Sequence, residues 1–196
     1  MPGMETEYEA KFLDVDKDEM RARLKAAGAT LKRPEFMQKR WVLDLPPEAK
    51  AKGTWVRVRD KGDKITMSYK SHQGTEIQDQ KELMLVVDSF DNAVEFLQKL
   101  GCPPESYQES MRELWILDGV EITIDTWPFM EPLVEVEGRS EAEVREAAIK
   151  IGFDWSKALF CGVNKVFQMK YGPDTHIRRL PRLTFDMLDP FLVQRE

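Results

Sequence analysis

Glu7, Glu9 and Lys11 occupy alternate positions in the stretch Glu7-Tyr8-Glu9-Ala10-Lys11. On an extended strand, alternate side chains share a face. Two carboxylates and an ammonium therefore stand on one side, with Tyr8, Ala10 and Phe12 on the other. Carboxylate oxygens are hard donors suited to Mg²⁺ or Mn²⁺, and an ammonium is a compact charge for a phosphate oxygen. Together they are equipment for holding a divalent metal beside a phosphate.

The same segregation recurs along the chain. Arg57 and Arg59 oppose Val56 and Val58, and Thr66, Ser68 and Lys70 oppose Ile65, Met67 and Tyr69. Glu121, Thr123 and Asp125 oppose Val120, Ile122 and Ile124, while Glu135 and Glu137 oppose Val134 and Val136. A solvated sheet face of mixed charge is the bland reading. Against it stands the sorting into Glu-x-Glu and Arg-x-Arg pairs, where surface strands use Thr, Lys and Gln freely.

The elements that must position these residues are legible from periodicity and punctuation. Residues 5–14 read as a strand, and a helix runs from Asp16 to about Ala27 with Gly28 as its stop. Residues 36–44 alternate again, and Pro46-Pro47 and Gly53 bracket a loop. Trp55–Arg59 and Lys64–Lys70 form a hairpin around Asp60-Lys61-Gly62-Asp63. A polar loop covers 71–80, a strand 81–87, and a helix 88–100 that stops at Gly101. The second half repeats this texture: a hairpin of 110–117 and 120–126 around Asp118-Gly119, a strand at 132–137, and a helix to Ile151 opened by a Ser140/Glu143 capping box. The repetition hints at an internal duplication. Residues 156–170 read as one more helix, and from Gly172 on the chain is an extended, Pro-punctuated tail lying across the domain or onto a partner.

The amphipathic helices need a partner for their apolar stripes, and the Val/Ile faces of the strands supply one. If helices cover those faces, the charged faces turn toward each other. The expected fold class is α+β: a closed antiparallel β-barrel with a hydrophilic tunnel and helices packed outside. Such a lumen suits a charged ligand, with arginines and lysines for phosphate oxygens and carboxylates for metal.

Composition bounds the alternatives. The chain has 196 residues, 42% of them hydrophobic, enough for one globular domain with a sizeable core. A net charge of −6 argues against a general nucleic-acid polymer binder. Cys102 and Cys161 lie far apart, which speaks against a disulfide framework or structural zinc. His72 and His176 have no partner at ligand spacing. With no apolar run near 18 residues and a charged N-terminus, neither a membrane span nor a signal peptide is expected; the expected location is cytoplasmic.

Taken in order, these motifs resemble the CYTH superfamily, the triphosphate tunnel metalloenzymes, which include class IV adenylyl cyclases, thiamine triphosphatases and inorganic triphosphatases. The resemblance covers roughly residues 5–171, so residues 1–171 are expected to form the tunnel domain and 172–196 the tail. It implies a barrel of about eight strands and metal-dependent chemistry on a triphosphate. By resemblance Glu7, Glu9, Asp125, Glu135 and Glu137 are metal-site carboxylates, and Glu7, Glu9, Lys11, Glu135 and Glu137 are the catalytic set. Lys11, Arg57, Arg59, Lys70 and Arg112 match phosphate-binding cations. Lys165 matches a lysine contributed by a C-terminal helix, Glu82 a further tunnel acid, and Trp55 a tryptophan that stacks on the organic base in thiamine triphosphatases.

Some of these residues carry competing readings. Arg112 shares a strand face with Leu114 and Ile116, so alternation brings it into a polar lumen only through a bulge. Asp125 could cap a turn before Thr126-Trp127-Pro128, Lys165 could be simply exposed, and Trp55 could be core. Glu121 could lie near the tunnel mouth. The expected function is a Mg²⁺- or Mn²⁺-dependent hydrolase of inorganic triphosphate or a small organic triphosphate such as thiamine triphosphate. The alternatives are a class IV adenylyl cyclase and a non-catalytic polyphosphate- or nucleotide-binding module. Phe185, Met187, Leu188, Phe191 and Leu192 in the tail make a homodimer one expectation and packing on the chain's own barrel the other.

Overall fold

The computed structural model describes residues 4–192. Residues 1–3 and 193–196, the outermost parts of the expected domain and tail, lie outside the described residues. The strands are β1 (Glu5–Thr6), β2 (Tyr8–Phe12), β3 (Thr30–Leu43), β4 (Thr54–Asp60), β5 (Ile65–His72), β6 (Gln80–Val87), β7 (Pro104–Leu117), β8 (Val120–Thr126), β9 (Leu133–Gly138) and β10 (Arg182–Leu183). The helices are α1 (Lys17–Ala26), α2 (Phe90–Lys99), α3 (Glu141–Lys150) and α4 (Val163–Tyr171).

Antiparallel neighbours run β1-β6-β5-β4-β3-β7-β8-β9-β2, and β10 lies parallel beside β7. Two consecutive segments, β1 and β2, thus sit at opposite ends of the order. The first strand breaks at Glu7 and changes partner, with Glu5 facing Glu82 of β6 and Tyr8 facing Gly138 of β9. The Glu7 N–H donates to the Gln80 carbonyl (2.9 Å), so pairing continues through the break. The sheet becomes a nearly closed antiparallel barrel, and the break places Glu7 at the seam.

The apolar faces point outward beneath the helices. Ala10, Phe12, Ile122, Ile124, Val134 and Val136 form one buried cluster with Met20 and Leu24 of α1 and Val144, Ala147 and Ala148 of α3. Val56 and Val58 pack with Ala93, Val94 and Leu97 of α2. Each such side chain contributes roughly 1.5–3 kcal/mol on burial, so the helices hold the barrel inside out, its polar faces inward. Asp16, Ser89 and Ser140 cap α1, α2 and α3 by accepting from the backbone N–H three residues on. The Asp118-Gly119 turn has φ of 53° and 87°, the two left-handed positions of a type I′ hairpin turn.

Three expectations are corrected. β3 and β7 are longer than their alternating cores: β3 continues back to Thr30 past a register shift between Arg33 and Phe36, around Pro34, which has no N–H for the ladder, and β7 begins at Pro104, its first residues pairing with Lys39 to Leu43 of β3. The single helix expected over 156–170 is a 3₁₀ turn at Trp155–Lys157, a bridge between Lys11 and Leu159, and only then α4. The tail is not merely extended: it carries a 3₁₀ turn at Ile177–Arg179 and the strand β10. Ile177, Leu183 and Phe191 are buried with Trp127 and with Val166 and Phe167 of α4, so the tail packs on its own barrel. Leu188 and Leu192 of the same segment remain exposed.

Candidate active site in the barrel lumen

Register decides which side chains meet. Across β2, β9 and β8, Glu9 faces Glu137 and Glu137 faces Glu121, giving a row of three carboxylates. One step along, Lys11 faces Glu135 and Glu135 faces Thr123. Beyond them Arg112 of β7 faces Asp125 of β8. On the other wall Arg40 of β3 faces Arg59 of β4, and Val42 faces Arg57. Trp55, Arg57 and Arg59 alternate along β4, and Trp55 faces Lys70, which faces Glu82. Cross-strand partners stand about 4.5–5.5 Å apart at Cβ, so like charges are pressed together on both walls.

Apart from Thr123 and Asp125, these groups line a cavity of about 320 Å³ to which nine Lys/Arg and six Glu side chains contribute. The lumen is therefore net positive within a chain of net charge −6, a field that draws anions inward.

The charges are unevenly paired. Lys11 contacts Glu9 and lies 3.1 Å from Glu135. Burial opposes its charge, but Glu135 and Glu9 outweigh burial and hold its pKa above the ordinary range. Glu135 is correspondingly held low: Lys11 and Arg112 overcome the burial that would raise it. Arg112 binds Asp125 through both Nε (2.7 Å) and Nη2 and reaches Glu135 at 2.5 Å. Lys70 lies 2.7 Å from Glu7, and Arg57 donates to Glu82 at 3.1 Å.

Glu137 has neither a hydrogen bond nor an ion pair among the described residues. Burial, then Glu9 and Glu7, push its pKa from 4.5 to about 7. Glu7 also rises to about 7, through burial and the nearby Glu82 and Glu9 charges, despite Lys70. On the opposite wall the surplus is cationic. Burial and then Arg59, Arg57 and Arg112 lower the pKa of Arg40, and burial and then Arg57 and Arg112 lower that of Arg59 to about 9. Lys61, in the β4–β5 turn, falls to about 7 for the same reasons. The Nε atoms of Arg40, Arg57 and Arg59 are buried without a hydrogen-bond partner.

The placement of the expected residues follows. Glu7, Glu9, Lys11, Trp55, Arg57, Arg59, Lys70, Glu82, Arg112, Glu135 and Glu137 all line the lumen. Arg112 needs no bulge: its ladder with β8 runs unbroken from Met111 to Leu117, and Leu114 and Ile116 share the inward face because Thr123 and Glu121 are their partners there. Asp125 is almost wholly buried behind Arg112 and reaches the lumen through that guanidinium. Lys165 stands exposed on the first turn of α4, beside a second cavity that adjoins the tunnel at Trp55 and Asn164. Sequence reasoning missed Arg40, Lys61, Lys64 and Arg178, and left Glu121 at the mouth. Gln38, Arg40 and Val42 do alternate, but Lys39 beside Arg40 disguises the inward face. Lys61 and Lys64 lie in a turn, where alternation carries no signal.

A helix-wrapped antiparallel barrel, with opposed carboxylate and guanidinium walls inside it, is a tunnel fold for polyanions. Residues 5–166 match the CYTH domain, and the chain belongs to that family. Members of the family include triphosphatases and adenylyl cyclases; they bind triphosphates in the tunnel and generally use divalent metals.

A search of curated proteins finds no match. Among solved structures, an adenylate cyclase by provisional assignment from Vibrio parahaemolyticus is similar at TM-score 0.71 and 12% identity, over 85% of this chain and 99% of its own. A conserved hypothetical protein from Pyrococcus furiosus is similar at TM-score 0.67 and 17% identity, over 80% and 97%. A provisionally assigned adenylyl cyclase from Hippeastrum, described as revealing a dominant triphosphatase activity, is similar at TM-score 0.53 and 14% identity, over 86% and 96%. At these identities the likeness is one of fold. Among the described residues no helix is long and apolar enough to cross a membrane.

Proposed function

We propose that this chain is a divalent-metal-dependent hydrolase of a triphosphate, either inorganic triphosphate or a small organic triphosphate such as thiamine triphosphate. The observation that carries the reading is the separation of unbalanced charge. Among the described residues Glu137 and Glu121 of the carboxylate row lack a cation partner, and Arg40 and Arg59 of the opposite wall lack an anion partner. A metal–triphosphate complex supplies both.

The donor set fits Mg²⁺ or Mn²⁺. Among the described residues no three His, Cys, Asp or Glu form a ready-made metal cage. Mg²⁺ needs none, since it is commonly held by one or two carboxylates plus substrate phosphates and water. Glu7, Glu9 and Glu137 would hold it, with Glu121 as neighbour, while Asp125 and Glu135 act through Arg112 and Lys11. Such an ion, once bound, would supply Lewis-acid neutralisation of phosphate charge and would make water a better nucleophile.

The chain's own residues do the rest. Arg40, Arg57, Arg59 and Arg112 grip the non-bridging oxygens and stabilise the charge that develops as the bridging P–O bond breaks. Their forks are already turned inward by strand register, so little reorganisation is needed. Lys11, fixed between Glu9 and Glu135, presents its ammonium where the acidic and basic walls meet. Glu82 holds Arg57 and Lys70 in place.

The test is product analysis with ATP, inorganic triphosphate and thiamine triphosphate, each with Mg²⁺ or Mn²⁺, beside a Glu137→Gln control. Metal-dependent phosphate release that vanishes in the control is expected. Cyclic AMP and pyrophosphate from ATP would replace the reading with a class IV adenylyl cyclase. Tight binding without product would replace it with a binding module.

A further inference from the structure

The CYTH match ends at residue 166, yet a cation from beyond it lines the tunnel. Arg178 lies in the 3₁₀ turn of the C-terminal segment. The residue before it is pinned from two directions: the Ile177 N–H donates to Asn164 Oδ1 (3.0 Å), and its carbonyl accepts from Ser106 Oγ of β7 (3.2 Å). Ile177 itself is buried against α4, and β10 fastens the chain to β7 a few residues later. The turn is therefore a rigid mount rather than a loose end.

From that mount Arg178 reaches the mouth of the lumen and lays its guanidinium 4.1 Å from the centre of the Trp55 ring. Stacking of this kind pre-orients a planar guanidinium. Arg178 is half-buried and has no hydrogen bond and no carboxylate within ion-pair distance among the described residues. Burial lowers its pKa, Glu105 and Asp44 oppose that only from a distance, and Arg57 lowers it further. Asp44 is in addition already paired with Lys50. Arg59, Arg57 and Trp55 succeed one another at alternate positions of β4, so the track from Arg59 to the Trp55–Arg178 stack extends about 13 Å at strand rise.

We propose that Arg178 is a substrate-binding, specificity-determining residue. It takes a phosphate oxygen at the mouth of the tunnel, and by covering Trp55 it denies that ring face to a planar organic group. The wild-type site then favours inorganic triphosphate over a triphosphate carrying an aromatic base. The inference rests on the triphosphate reading of the tunnel.

The test is calorimetric titration of wild type, Arg178→Ala, Arg178→Lys and Arg57→Ala with inorganic triphosphate and with ATP, in EDTA so that metal-dependent turnover is stopped. Arg178→Ala is expected to weaken inorganic triphosphate about tenfold, equivalent to about 1.4 kcal/mol, and to weaken ATP less, so that the preference between them narrows. Arg178→Lys should restore the affinity for inorganic triphosphate in part, because an ammonium keeps the charge but not the planar stack. An unchanged melting temperature for Arg178→Ala separates a binding effect from misfolding. Unchanged affinity for inorganic triphosphate in a folded Arg178→Ala, with Arg57→Ala impaired, overturns the role of Arg178 and leaves the triphosphate reading standing. An unchanged ratio of the two affinities overturns the specificity claim. Failure of wild type to bind either compound in EDTA, together with no phosphate release from either in Mg²⁺ or Mn²⁺, overturns the triphosphate reading, and the inference falls with it.

Discussion

Glu137 and Arg59 stand for the two walls, and both are strained by what surrounds them rather than by what they touch. A carboxylate whose pKa is lifted from 4.5 to about 7 by burial and two neighbouring carboxylates is unfavourable to ionise. Replacing Glu137 with Gln removes that charge. The metal-free variant should therefore gain roughly 1–3 kcal/mol at pH 8, while metal-dependent turnover falls about 10²–10³-fold. Urea unfolding and a phosphate-release assay check both, and a loss of metal-free stability would refute the account. Arg59→Met makes the mirror-image case. It removes a buried cation facing Arg40 and lowered by Arg57, so the unliganded fold should be as stable or more so. Triphosphate binding should weaken by about 1.5–3 kcal/mol, the worth of a charged hydrogen bond. Equilibrium binding and denaturation on one sample separate the two effects.

At the scale of elements, stability comes from the outward faces, and function should be insensitive to the caps that shape them. Ile122 is fully buried in the β8 face under α3. Ile122→Ala should cost about 2–4 kcal/mol through lost burial and a residual cavity, seen as a lower urea midpoint at unchanged slope. Ser140→Ala removes the N-cap of α3 and should cost about 1 kcal/mol, with kcat/KM within about twofold of wild type. Most of these elements were legible because local rules agree: the β8 hairpin carries its Asp-Gly turn, and α2 carries its Ser cap and terminal Gly101. The misreadings fall where distant contacts override local pattern. The bridge from Leu159 to Lys11 keeps residues 158–162 out of a helix, and the pairing of β3 with β7 carries both strands past the point where their alternation lapses.

For the whole molecule, the unbalanced lumen makes stability depend on pH and on metal together. Glu7 and Glu137 have folded pKa values near 7, above the ordinary 4.5, so their contribution to stability is complete below about pH 4.5 and is lost as pH rises to 7. Lys61 is depressed from 10.5 to about 7, so its contribution is complete above about pH 10.5 and is lost as pH falls to 7. On the proposed reading, divalent metal would replace the protons of the two carboxylates. Mg²⁺ or Mn²⁺ should therefore raise the melting temperature at pH 8 by several degrees, about 2–4 °C for each kcal/mol, and scarcely at pH 5. Equal shifts at the two pH values would refute the linkage. The sequence by itself determined the inside-out barrel and most of its charged lining, because strand alternation is a local property and each Glu-x-Glu or Arg-x-Arg pair declares its face within three residues. It did not determine that Glu9, Glu137 and Glu121 form one row, that Asp125 and Glu135 both bind Arg112, or that Arg40 joins Arg59. Register relates residues far apart in the chain, and local pattern carries no information about it. Nor could it bring Arg178 to Trp55, since that contact exists only because Asn164 and Ser106 fix Ile177 across the mouth of a barrel that must first close.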